Sequence, residues 1–188
     1  MTAYTYNSPL GLLYIAEEDG HITELSFMDA DTRRKFGRAA GQAGCDLQQA
    51  PAPTLATAAS LVPVVPSEAP STIPAVIDAC AQELDAYFAG KLKSFTVPIR
   101  LVGTDFRIKV WNELCNIPYG ETISYKELAQ RIGNPRAIRA VGGANHHNPV
   151  SIIVPCHRVI GAGGGLTGYG GGLDNKSFLL KLEAENLK

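Results

Sequence analysis

Apolar and polar positions alternate from the first residues of the chain. Tyr4 and Tyr6 interleave with threonines, Leu12 and Tyr14 resume the alternation, and Ile22, Leu25 and Phe27 continue it, so three strands are expected. Ser8-Pro9-Leu10-Gly11 and Asp19-Gly20 are turn signals between them, and such short connections make the strands antiparallel. The spacing becomes helical at Ile73. Val76, Ile77, Cys80, Leu84, Tyr87 and Phe88 follow on one face up to Gly90, and Pro74 suits a first turn. This amphipathic helix should pack on the sheet. Phe95, Val97 and Ile99 alternate as a strand or extended linker into the second half.

That half is helical and well punctuated. Thr104 can cap a helix whose Phe106, Val110, Trp111 and Leu114 share a face, ending before Pro118. Ser124 and Glu127 form a capping box, with Ile123 and Leu128 as its hydrophobic staple. The helix stops at Gly133 and Asn134-Pro135 opens the next, with Arg136 and Arg139 at its start and Ile138 and Val141 inward. Two short helices across a Gly-Asn hinge read as a helix-turn-helix, the second being the one presented to DNA. That second helix carries Gly142 and Gly143, each costing roughly 1 kcal/mol against alanine. Either a neighbouring helix packs tightly there, or the backbone approaches a flat surface such as a DNA minor groove. Residues 150–154 are an apolar run that reads as a buried strand ending at Pro155. Asp174 is placed to cap a last helix with Phe178, Leu179 and Leu182 inward.

Composition narrows this picture. With 188 residues, 45% apolar and 19% charged, the chain is neither disordered throughout nor fibrous, and fits one large or two small domains. We divide it at 1–97 and 98–188. Residues 37–72 hold nine Ala, five Pro and three charges, and read as a long, poorly ordered excursion with Cys45 as an exposed bystander thiol. Apolar stretches fall short of a bilayer span, and no Lys or Arg precedes the first apolar residues, so neither membrane nor secretion is expected and a cytoplasmic setting is. Four cysteines without a CxxC pair argue against a disulfide scaffold. A zinc site from His146, His147, Cys115 and Cys156 lacks ligand spacing, so no metal is expected. The net charge of −1 divides into −5 over residues 1–99 (6 basic, 11 acidic) and +4 over 100–188 (11 basic, 7 acidic). That split is compatible with a nucleic-acid face on the second half.

Candidate chemistry concentrates in Pro155-Cys-His-Arg-Val159. A cysteine attacks as its thiolate, and a neighbouring imidazole or cation lowers its pKa towards neutrality. Side chains adjacent on a strand point oppositely, so Cys156 and His157 read either as an inert core pair or as nucleophile and base linked by a water or a bend. Glu183 lies near the C-terminal end of its helix, where the macrodipole disfavours a carboxylate; it is either solvated or held by another partner such as a histidine. Glycines from Gly161 to Gly172 surround Leu166 and Tyr169, as a flexible loop or a backbone-lined pocket. No Gly-Lys-Ser/Thr closes them into a phosphate loop.

Together, Ile117-Pro-Tyr-Gly-Glu-Thr-Ile-Ser-Tyr125, Arg139-Ala-Val-Gly-Gly-Ala-Asn145, Asn148-Pro149, Pro155-Cys-His-Arg-Val159 and Thr167-Gly-Tyr-Gly-Gly-Gly-Leu173 resemble the methylated-DNA–protein-cysteine methyltransferases, the O6-alkylguanine-DNA alkyltransferases. The likeness runs in order from about Thr104 to Glu183 and is looser before it. It implies an α/β N-terminal domain, a ribonuclease-H-like antiparallel sheet plus helix, followed by a mainly α winged-helix-like DNA-binding domain. It implies direct reversal of O6-alkylguanine, and of O4-alkylthymine, in duplex DNA bound through the minor groove. The base is flipped out, and its alkyl group moves once and irreversibly to the cysteine. Cys156 maps onto the nucleophile, His157 onto its base through a water, and Glu183 onto the carboxylate orienting that histidine. Asn148 maps onto the asparagine holding the loop beneath the site, and Tyr125 onto the tyrosine that lets guanine leave neutral. Arg139 corresponds to the finger that fills the vacated stack, and Val159 to a backbone carbonyl for the guanine amine. Gly142, Gly143, Ala144 and Asn145 fall on the DNA-facing helix, Tyr169 and Gly170 on the pocket loop. Gly170 replaces a serine-like position, leaving only its amide for O6, and Ser151 stands where some members carry proline.

The resemblance implies no cofactor, and a monomer is expected. A non-catalytic damage sensor is the first alternative, against which Cys156 itself argues. A cysteine hydrolase using Cys156, His157 and Glu183 is the second; it would turn over, and no oxyanion hole is evident. A transcription factor would need basic side chains where Gly142, Gly143 and Ala144 stand.

Overall fold

The computed structural model describes residues 1–28, 61–64 and 72–187. Strands β1 (Thr2–Ser8), β2 (Gly11–Glu18), β3 (His21–Phe27) and β4 (Val62–Pro63) form an antiparallel sheet in the order β3-β2-β1-β4. Both predicted turns close it. Asp19 and Gly20 have φ of 49° and 74°, the pair of left-handed residues that a tight hairpin matched to strand twist requires. At the other turn the Ser8 hydroxyl donates to Gly11 O and accepts from the Leu10 amide.

β4 corrects the reading of 37–72 as a single excursion. Thr5 and Tyr4 of β1 pair with Val62 and Pro63, and the Val64 amide donates to Ala3 O. A two-residue edge strand containing proline is too short to show a period, and it forms because β1 offers an unpaired edge. Residues 37–60, with Cys45, and 65–71 lie outside the described residues.

Helix α1 (Ala75–Phe88) covers the sheet with Ile77, Cys80, Ala81, Leu84 and Tyr87 buried. Pro74 sits just before its first turn. α2 (Asp105–Leu114) is capped by Thr104, which accepts from the Arg107 amide. Ser124 likewise caps α3 (Tyr125–Arg131) by accepting from the Glu127 amide. α3 ends in a Schellman motif: the Gly133 amide donates to Gln130 O and the Asn134 amide to Ala129 O, with Gly133 at φ 73°. α4 (Ile138–His146) follows. It begins later than Asn134-Pro135 suggested, because Asn134–Ala137 forms a turn that consumes the proline; Arg136 therefore lies outside the helix, and Ile138 is exposed, not inward. β5 (Ile123–Ser124) and β6 (Val159–Ile160) pair in parallel, and α5 (Leu173–Glu185) closes the chain. Gly172 precedes α5 with no side-chain cap, leaving Asp174 within the first turn, and Phe178 is exposed.

A single buried cluster runs from Tyr4 and Leu25 through Leu84 and Tyr87 to Trp111, Val141, Cys156 and Leu179, joining both halves. The join is also made in backbone. The Leu25 amide donates to Pro149 O and the Ser151 amide to Leu25 O, so β3 grips the loop that leads to Cys156. Among the described residues no helix is long and apolar enough to cross a membrane.

Candidate active site

The loop ahead of Cys156 is built around one side chain. Asn148 accepts from the Val150 amide through Oδ1 and donates through Nδ2 to Val154 O at 2.7 Å and to Cys156 Sγ at 3.0 Å. These bonds curl residues 150–154 into a buried turn, not the strand expected from their apolar run, with Ile152 at φ 73°. A β-branched residue in the left-handed region costs about 1–3 kcal/mol, here offset by burial and by the asparagine bonds. The apolar run thus signalled burial, without signalling strand.

Pro155 then starts a 3₁₀ turn, Cys156–Arg158. At about three residues per turn, consecutive side chains point a third of a circle apart. That resolves the objection from strand alternation. Cys156, His157 and Arg158 are all buried, the thiol on Asn148 and the other two on Glu183. His157 Nε2 lies 2.8 Å from Glu183 Oε1. Arg158 donates to both Glu183 oxygens, Nε to Oε2 and Nη2 to Oε1, each at 2.9 Å, and Nη1 donates to Ile117 O. The Gly120 amide adds a bond to Oε2 at 3.0 Å.

The electrostatics follow from this arrangement. Burial pushes the Glu183 carboxyl upward, but hydrogen bonds from His157 and Arg158 outweigh it and hold the group well below the usual carboxylate range. Glu183 is therefore ionised, and His157 carries its proton on Nε2. Burial lowers the His157 pKa against the pull of Glu183, so the ring is neutral. Its Nδ1 is buried without a hydrogen-bond partner among the described residues. The Cys156 thiol is pushed up to about 11 by burial, despite the Asn148 bond and the nearby Lys176 charge. Desolvation thus overrules the expectation that its neighbours would bring it towards neutrality, and the resting sulfur keeps its proton.

Lys176 was not anticipated. It is fully buried, donating from Nζ to Val159 O at 2.6 Å and Thr167 O at 2.9 Å, which ties β6 to the glycine-rich loop. Tyr125 OH also bonds Thr167 O and Gly168 O, both at 3.1 Å. A signal for Lys176 existed: with Leu179 and Glu183 it lies on one helical face, placing two charges where apolar residues belong.

Other predicted residues separate into two groups. Arg139, Gly143 and Gly170 are exposed, and Gly142 is partly so. Ala144 and Asn145 turn inward instead. Ala144 O accepts from Trp111 Nε1 at 2.8 Å, and Asn145 Nδ2 donates to Cys156 O at 3.2 Å. A Cβ on Gly143 would meet nothing within 4 Å, and one on Gly142 only the Tyr125 ring at 4.0 Å. Tight helix packing therefore does not explain these glycines. Val159 and Tyr169 are buried, Tyr169 edge-on to Phe27 of β3 at 5.9 Å between ring centroids. His146 and His147 are exposed, and the described residues contain no cluster of metal-ligating side chains.

Comparison with known proteins gives the family. Residues 105–185 match the 6-O-methylguanine DNA methyltransferase DNA binding domain, and residues 1–101 match the ribonuclease-like domain of the same proteins. The chain belongs to the 6-O-methylguanine DNA methyltransferase family. A methylated-DNA–protein-cysteine methyltransferase of Methanosarcina barkeri is 62% identical over 108 residues, 57% of this chain and 68% of its own length. One from Mycobacterium tuberculosis is 59% identical over 110 residues, 58% of this chain and 67% of its own. The crystal structure of the Mycobacterium tuberculosis O6-methylguanine methyltransferase aligns over 99% of this chain and 94% of that one, with TM-score 0.73 and 40% identity. A second, of Mycobacterium tuberculosis OGT in complex with DNA, covers 97% and 92% with TM-score 0.70 and 42% identity. The family architecture, antiparallel sheet plus helix and then a helical DNA-binding domain, is the one observed.

Proposed function

We propose that this family member repairs O6-alkylguanine in duplex DNA by transferring the alkyl group to Cys156. The observation that carries the reading is His157: neutral, fixed by ionised Glu183 at Nε2, and bare at Nδ1 on the turn that also holds the thiol. The thiol proton passes through a water to Nδ1. The sulfur then attacks the alkyl carbon as the carbon–O6 bond breaks, and the electron pair leaves with guanine. Tyr125 supplies the proton that makes the departing base neutral, turning from Thr167 O and Gly168 O to do so. A thioether forms and nothing in the site removes it, so each molecule acts once. The same geometry serves an O4-alkylthymine.

DNA lies against α4 in our reading, its minor groove meeting the open backbone at Gly142 and Gly143. Exposed Arg139 fills the place of the flipped base. The buried Val159 carbonyl and the Gly170 amide face the extruded guanine, with Val159 O shared with Lys176. Residues 98–188 carry the reaction, residues 1–97 support it, and the protein acts as a monomer. A free thiol acceptor suits the reducing cytoplasm.

The direct test is intact mass with peptide mapping after mixing with a duplex containing one O6-methylguanine. One methyl group on Cys156, stopping at one per protein, is the expected result. An unmodified protein that still binds the duplex would overturn it.

A further inference from the structure

Glu183 has one more partner, and it comes from the other half of the chain. Tyr87, in the last turn of α1, donates its hydroxyl to Glu183 Oε1 at 2.7 Å, across 96 residues of sequence, with both side chains fully buried. Oε1 thus receives Tyr87, His157 at 2.8 Å and Arg158 at 2.9 Å, while Oε2 receives Arg158 and the Gly120 amide. The Tyr87 ring is held for this bond. Phe88, Phe95 and Tyr119 surround it at centroid distances of 5.5, 5.3 and 6.1 Å. α1 ends immediately afterwards in a Schellman motif, the Gly90 amide on Tyr87 O and the Lys91 amide on Ala86 O. The ends of the two helices are joined as well, with Lys93 Nζ donating to Leu187 O and the Asn186 side chain packed over Gly90.

We infer that Tyr87 is a positioning residue of the relay, through which the N-terminal half sets the carboxylate that orients His157. The inference rests on the transfer reading above. A neutral hydroxyl bonded to Oε1 stabilises negative charge on that oxygen and reduces its pull on the imidazole proton. It also closes Oε1 to other donors, leaving His157 one orientation and one tautomer, with the proton on Nε2 and Nδ1 unprotonated. Without the hydroxyl, Oε1 becomes more basic and holds an imidazolium more strongly. His157 then protonates at higher pH and is lost as a base earlier on acidification. A tyrosine that served packing alone would leave that titration where it is.

The test uses the full chain and free O6-benzylguanine, in single-turnover transfer from about pH 5 to pH 9, with intact mass as the readout. Tyr87→Phe keeps the ring and removes the donor. Its neutral-pH rate should fall roughly three- to tenfold, a fraction of what a placed general base contributes. The acid limb of its profile should move up by about half a unit to one unit. Incorporating 3-fluorotyrosine at position 87 strengthens the donor with the packing kept, and should move the limb down. Tyr119→Phe deletes a hydroxyl from the same cluster that makes no bond to Glu183, and should leave the limb in place. Superimposable profiles for wild type and both Tyr87 variants overturn the inference, whatever happens to the melting temperature. So does an equal shift from Tyr119→Phe. A wild-type protein left unmodified at every pH instead overturns the transfer reading itself.

Discussion

Asn148 and Cys156 are joined side chain to side chain, the amide nitrogen 3.0 Å from the sulfur. The same amide holds Val154 O, so one residue shapes the loop and favours the anion that must form on the sulfur. Asn148→Ala leaves the Val150 amide unpaired in the interior and the Val154 carbonyl with the Cys156 amide alone. Urea unfolding should report a loss of about 2–3 kcal/mol. The Cys156 thiol should titrate above its present value of about 11, and methyl transfer should slow. Unchanged thiol titration would separate the loop role from the electrostatic one.

Acid should destabilise the protein in two stages. His157 has a lowered pKa when folded, so below the unfolded value of about 6.5 the unfolded chain takes up a proton that the native one refuses, and stability falls with pH. Glu183 has a depressed pKa when folded, so its contribution is complete above about 4.3 and disappears as pH drops through the lower folded value. Urea midpoints collected from neutrality downward should show both slopes. His157→Gln should remove the upper one and leave the lower.

Gly143→Ala should raise the melting temperature and weaken DNA binding together. The added methyl meets nothing within 4 Å in the folded protein, and a helical alanine gains about 1 kcal/mol over glycine. If DNA approaches the backbone there, that methyl intrudes on it. Affinity for a duplex, measured beside thermal unfolding, checks the pairing; tighter or unchanged binding would remove DNA from this face.

Arg139→Ala should separate duplex repair from intrinsic reactivity. Arg139 is exposed on the first turn of α4. Transfer from a duplex should drop by at least about tenfold, since extruding a base costs a few kcal/mol that an inserted side chain helps to offset. Transfer from free O6-benzylguanine should be unaffected. Equal losses on both substrates would contradict the finger role.

Much of this protein was legible in its residues because the relevant physics is local. A hairpin needs two left-handed residues, and Asp19-Gly20 supplies them; a helix start needs an oxygen acceptor, and Thr104 and Ser124 provide it; Gly133 ends α3 because an L side chain is strained there. The roles of Cys156, His157 and Glu183 were legible only through the resemblance to a known family, since by themselves a Cys-His pair and an ill-placed carboxylate also fit inert or solvated readings. What the residues could not disclose depends on which distant segments meet. The apolar run at 150–154 became a turn because Asn148 bonds it from within and β3 grips it from outside. Ala144 and Asn145 left the expected DNA face because Trp111 and the Cys156 carbonyl lie on their other side. The sulfur keeps its proton because burial outweighs its cationic neighbours, and burial is a property of the packed chain. Tyr87 reaches Glu183 only once a helix of the first half lies against one of the second, and no spacing along the chain encodes that meeting.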